Sequence, residues 1–117
     1  MGWQPNWSDV TFDRATALAA AQACRSAAAQ ADAVTGGLGR SASTAAVDWE
    51  GLARLVFETD VGHAGRHLAA VGDQLLALAR RIEAAAEAAV AEQARRERQR
   101  ERWREEQATV DGEPRPR

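Results

Sequence analysis

The sequence predicts an all-α protein, built as a two-helix antiparallel hairpin whose long second helix pairs into a four-helix bundle. Three observations support this prediction. Alanine, the best helix former, is the most frequent residue of the 117-residue chain. Apolar residues recur every three or four positions through two long stretches, which is the spacing of one helix face. A loose Gly/Ser-rich stretch separates the two.

The first helix is predicted to begin near Asp9, after an N-terminal segment of residues 1–8. Ser8 is a suitable N-cap, and Trp7 is placed to pack on Phe12 as a hydrophobic staple. The core-facing stripe of this helix consists of small residues, namely Ala17, Ala21, Cys24, Ala28 and Ala31. A smooth stripe of this kind lets a partner helix approach closely, but it buries little apolar area.

The first helix is expected to end at Thr35-Gly36-Gly37, because glycine readily adopts the left-handed C-cap conformation. Residues 36–47 are then the connector. Asp48 is a suitable N-cap for the second helix, which places Trp49, Glu50 and Gly51 in its first turn.

The second helix is predicted to extend from Asp48 to Gln107. Aliphatic residues alternate in steps of three and four, as in a heptad seam that packs helix on helix. We define this seam as Val61, Ala64, Leu68, Val71, Leu75, Leu78 and Ile82. Two glycines in Gly62-His63-Ala64-Gly65 leave two alternatives, a continuous bent helix or a break into a three-helix bundle. The unbroken heptad phase favours the continuous helix.

Beyond residue 94 the chain becomes almost wholly charged. Opposite charges recur at three- and four-residue spacing through residues 95–107, which is typical of a solvated helical extension. Residues 108–117 are predicted to be a disordered tail. The helical hairpin itself is therefore assigned to residues 9–94.

Composition and motifs argue against several classes of function. The net charge of −2 argues against nucleic-acid binding. The sequence has no span of 18 apolar residues, which argues against membrane insertion. Asp60, His63 and His67 share one helix side, but a fourth ligand is not evident, so we expect no metal site. The single cysteine, Cys24, is most simply a core residue. We expect no catalytic residue, no cofactor and no enzymatic activity.

The sequence Trp49-Glu50-Gly51, continued by Ala53 and Phe57, follows an alanine-rich run at the predicted meeting point of two helices. Here the chain resembles the WxG family of small helical-hairpin proteins of the type VII (ESX) secretion systems of actinobacteria, the early secreted antigen-like proteins. The resemblance covers residues 9–94. It implies that Trp49 and Gly51 form the turn signature read by the secretion machinery.

The resemblance also implies partners. Proteins of this family pair as homodimers or heterodimers, usually antiparallel, and are exported folded. The expected partner is thus another WxG-type protein, a second copy or a larger secreted effector, with the secretion ATPase as a further contact. The family's export signal is a tyrosine followed four residues later by an acid. This chain has no tyrosine. Trp103 is the nearest aromatic substitute, with Gln107 in the acidic position.

We therefore expect a type VII secretion substrate or the targeting and chaperone partner of a larger effector. Synthesis is expected in the cytoplasm, and any export is expected to occur without a cleaved signal peptide. The alternative is an intracellular structural coiled-coil protein, in which Trp49 only closes the end of the hairpin.

Overall fold

A computed structural model of the chain describes residues 2–111. It contains two α-helices, α1 at Arg14–Ala45 and α2 at Gly51–Asp111. The predicted all-α class, with two helices of which the second is long, is confirmed. Among the described residues, neither helix is long and apolar enough to cross a lipid bilayer.

Helix α1 begins and ends later than the sequence predicts. Residues 9–13 lie before the helix, and Ser8 is not its N-cap. At the other end, α1 continues through Gly36 and Gly37 to Ala45, so the predicted connector 36–47 is wrong. Two glycines cost a helix about 1 kcal/mol each, a penalty that tertiary packing routinely overcomes. The actual connector spans residues 46–50.

Helix α2 begins three residues later than expected, at Gly51 rather than Asp48. Trp49 and Glu50 consequently lie in the turn before α2 and not in its first turn. The helix is continuous through Gly62 and Gly65, as the heptad phase favours. It also extends past Gln107 to Asp111, so residues 108–111 of the predicted disordered tail are helical, whereas 112–117 lie outside the described residues.

The chain divides into two compact units, each described separately. We call Ala15–Glu83 the hairpin unit, and Met1–Arg14 with Ala84–Arg117 the terminal unit. Within the hairpin unit α1 and α2 run antiparallel. A Cβ added at Gly65 would lie 3.8 Å from the Thr35 side chain, while nearer the start of α1 the guanidinium of Arg25 pairs with the carboxylate of Glu83.

The core of the hairpin unit consists of alanine. Ala21 and Ala79 are fully buried and Ala28 is 7% exposed. The remaining members of the predicted α1 stripe, Ala17, Cys24 and Ala31, are half-buried, which confirms that this face of α1 points inward. Small side chains allow close contact between helices, and Gly72 adds to it, since a Cβ there would lie 3.9 Å from the backbone oxygen of Ala28.

The predicted seam of α2 is only partly covered. Five of its members are half-buried, namely Val61, Leu68, Val71, Leu75 and Ile82. Ala64 is exposed, and 42% of Leu78 is exposed. Pairing of this seam with a second chain stays a prediction.

Candidate functional site

The turn between the helices holds Trp49 in a defined position. Its backbone N–H donates to the carbonyl of Ala46 at 2.9 Å, and its carbonyl accepts from Arg54 Nη1 at 3.4 Å. The indole packs edge-on against the ring of Phe57, with centroids 4.9 Å apart. Because 42% of Trp49 is still exposed, the ring is supported from one side and open to solvent on the other.

Gly51 supplies the backbone geometry of the same turn. Its φ of +71° lies in the left-handed region that glycine adopts without strain. A Cβ at this position would have nothing within 4 Å. The requirement for glycine at position 51 is therefore conformational rather than a matter of space.

Large apolar side chains are exposed on both sides of this turn. On α2, Leu52, Leu55 and Val56 have the i, i+3, i+4 spacing of one helix face. We call the following five residues the turn surface: Val47, Trp49, Leu52, Leu55 and Val56, which are exposed by 69, 42, 74, 60 and 51%. Exposed apolar patches on soluble proteins often mark interaction sites.

A second group of contacts lies in the terminal unit, where α2 side chains bind residues 2–13. Arg100 donates to the backbone carbonyls of Asn6 and Ser8, at 2.9 and 2.7 Å. Arg96 donates to the carbonyl of Ser8 at 3.1 Å. The backbone N–H of Val10 donates in turn to Gln93 Oε1 at 2.8 Å. The charged part of α2, predicted to be solvated, thus binds a non-helical segment of the chain.

Tryptophan rings complete this second group. Trp7 packs edge-on against Trp103, with centroids 5.3 Å apart and an interplanar angle of 89°. The predicted staple of Trp7 on Phe12 is therefore wrong, since Trp7 takes its aromatic partner from α2. The Arg102 guanidinium lies 5.2 Å from the centre of the Trp3 ring, whose indole N–H donates to Glu106 at 2.8 Å.

Hydrogen bonds and nearby guanidinium groups hold the carboxylates of the terminal unit in their charged form. The pKa of Asp9 lies below its usual value, because its carboxylate accepts hydrogen bonds first from Gln93 and then from Arg100. The pKa of Glu92 falls to about 2, because Arg95 and Arg96 donate to it. Both carboxylates therefore remain ionised near neutral pH.

Sequence reasoning assigned a role to Trp103 but missed its partners. Trp103 is half-buried against Trp7 and is not an isolated ring on a solvated helix. The missed residues are Trp3, Trp7, Arg96 and Arg100. The available signal was the pair Trp3 and Trp7, four residues apart in a short polar segment, because large apolar rings are expected to pack against another part of the chain.

Asp60, His63 and His67 are all exposed. Within residues 2–111 no group of three or more His, Cys, Asp or Glu side chains could hold a metal ion. Cys24 is a free, half-buried thiol.

Comparison of the chain with protein-family models, with curated proteins and with solved structures gives no match.

Proposed function

We propose that the protein is a non-enzymatic helical binding module of the type VII secretion kind. In this proposal it is a secretion substrate, or the targeting and chaperone partner of a larger effector, and it pairs with another helical-hairpin protein. One observation carries the proposal: apolar side chains are exposed around the Trp49-Glu50-Gly51 turn. A turn that only closed a hairpin would bury its tryptophan.

The composition of the core supports a need for a partner. Each buried alanine methyl contributes only about 0.8 kcal/mol. No large side chain of the described residues is fully buried. Small cores of this kind rarely provide more than about 3–5 kcal/mol of stability. Burial of the seam and of the turn surface against a second helical hairpin would supply the missing apolar area.

The pairing is tested by light scattering on the purified chain. We expect the mass of a dimer, and we expect Leu75→Asp to disrupt it, because this half-buried seam position would then carry a charge. A wild-type chain that is monomeric and still unfolds cooperatively would contradict the pairing.

Recognition of the turn surface is tested by export from a strain with an intact ESX system. Trp49→Ala and Leu52→Ser are expected to lower export, or the capture of a co-expressed WxG partner, by about tenfold or more. Val90→Ser is the control, since Val90 is 52% exposed but lies outside the turn surface. Export and capture at the wild-type level by both folded variants would favour the intracellular coiled-coil alternative.

A further inference from the structure

The contacts between α2 and residues 2–13 follow the backbone of the bound segment. Arg96 and Arg100 donate to carbonyl oxygens, and Gln93 accepts from a backbone N–H. These groups are present in the backbone of any peptide, so the contacts do not depend on a particular side chain. Residues 93, 96, 100 and 103 are spaced as one face of a helix, which lets α2 follow such a peptide over several turns.

Two features of the bound segment are recognised by their chemistry. The Trp7 ring lies between the edge contact with Trp103 and the guanidinium of Arg104, which is 5.6 Å from its centre. Two residues later, the carboxylate of Asp9 accepts from Arg100 at 2.9 Å. An aromatic ring and an acid, separated by one residue in a non-helical segment, therefore define the ligand.

The middle of the bound segment is open to solvent, although Pro5 is buried and the Arg100 side chain that binds the segment is only 13% exposed. The side chain of Asp9 is 73% exposed and Trp7 is 46% exposed. Exposed ion pairs and exposed cation–π contacts are individually weak. The segment contains no helix, and α1 begins directly after it at Arg14. It can leave the surface without breaking either helix.

We propose that the α2 face formed by Gln93, Arg96, Arg100 and Trp103 is a binding surface for a non-helical peptide that carries Trp-x-Asp, and that residues 2–13 occupy it as an intramolecular ligand. A partner with this chemistry binds by displacing that segment. This inference uses the terminal unit alone and does not depend on the proposed secretion function.

The intramolecular ligand predicts a specific affinity pattern. The probe is a synthetic peptide of residues 2–13 with a fluorescent label, titrated against full-length protein and followed by anisotropy. In the Trp7→Ala/Asp9→Ala protein the internal segment is weakened while the α2 face is intact. Apparent affinity scales with the fraction of open surface, so we expect this variant to bind about tenfold or more tightly than the wild type.

Arg100→Ala, added to the double variant, tests the surface itself. We expect about a tenfold loss of affinity, because Arg100 binds two backbone carbonyls and the acid. Arg98→Ala is the matched control, since Arg98 is an exposed arginine on the same helical stretch, and affinity is expected to stay unchanged. A peptide with Trp7→Ala and Asp9→Ala is expected not to bind.

A measurement on the wild-type chain keeps the test independent of variant folding. In protein labelled with 5-fluorotryptophan, excess peptide is expected to move the ¹⁹F signal of Trp7, assigned with Trp7→Phe, to its free position. An unmoved signal, together with no gain in affinity for the double variant, would make residues 2–13 a fixed part of the fold and overturn the proposal. Equal losses for Arg98→Ala and Arg100→Ala would also overturn it, by indicating general charge attraction.

Discussion

The hairpin unit buries alanine methyl groups between two helices, whereas in the terminal unit arginine and tryptophan side chains hold a non-helical segment. In the first, Ala21 and Ala79 are inaccessible to solvent. In the second, Arg100 alone binds two carbonyls and a carboxylate. The same helix, α2, provides one side of both units.

This difference shows how one helix can serve two kinds of contact. Small residues allow a second helix to come close, and the resulting interface is mainly apolar, although the partly exposed Arg25–Glu83 ion pair also joins the two helices. Long charged residues instead reach the carbonyls of a segment that has no helix to satisfy them. The stability of the alanine interface should therefore change little with pH or salt but fall when volume or charge is added. The stability of the arginine interface should instead depend on pH and salt and be less sensitive to added volume or charge.

The largest expected effect comes from a charge in the alanine core. Ala79→Asp places a carboxyl group at a fully buried position. Without a hydrogen-bond partner a buried polar group costs about 2–7 kcal/mol even when it is neutral, and a charged one costs more. Thermal unfolding followed by circular dichroism would measure the loss. Ala70→Asp is the matched control, because Ala70 is exposed on the same helix, and we expect it to lose only the helix propensity of about 0.7 kcal/mol. Equal losses would contradict an alanine core.

A change at the turn comes next in size. Gly51→Ala forces a Cβ into the left-handed region and should destabilise the hairpin unit by about 1–2 kcal/mol. Gly39→Ala is the control, since Gly39 also has nothing within 4 Å of an added Cβ but lies within α1. That variant should be more stable than the wild type by about 0.5–1 kcal/mol. Two changes of the same sign would argue against the positive φ of Gly51.

A smaller effect is expected in the terminal unit. Trp103→Ala removes an edge-on aromatic pair worth about 0.5–1.5 kcal/mol beyond its burial. The helix content should stay the same, while the amide of Val10, which donates to Gln93, should exchange with solvent faster. Trp49→Ala removes a ring from the turn and should leave the exchange of Val10 unchanged. Wild-type protection of Val10 in Trp103→Ala would show that the aromatic pair does not hold the segment.

The smallest effect concerns pH. The pKa of Asp9 is lower in the folded chain than its ordinary value of 3.8, so its ionisation stabilises the docked segment at every pH above 3.8. This contribution disappears as the pH falls through the lowered pKa. We expect constant protection of the Val10 amide between pH 7 and pH 5, and a loss below pH 3.8. Asp9→Asn should remove that dependence; an unchanged pH profile would assign the effect to another group.

Local patterns in the sequence predicted the main elements. The all-α class, the two helices, the inward face of α1 and the continuity of α2 all follow from residues only three or four positions apart. The exact ends of α1 did not follow, because the capping preference at Ser8 and the helix propensity of Gly36 and Gly37 are weak local signals that tertiary context routinely overrides. The turn at Trp49-Glu50-Gly51 was also visible in the sequence, although the placement of Trp49 and Glu50 before α2 was not.

By itself, then, the sequence determined which stretches are helical and which helix faces are apolar. The tertiary structure decided what covers the charged half of α2. Asn6 and Arg100 are 94 positions apart, and no local periodicity relates such distant residues. A carbonyl–guanidinium contact uses a backbone group that every residue possesses, so its partner has no signature in the sequence. Only the fold brings that backbone to the arginines.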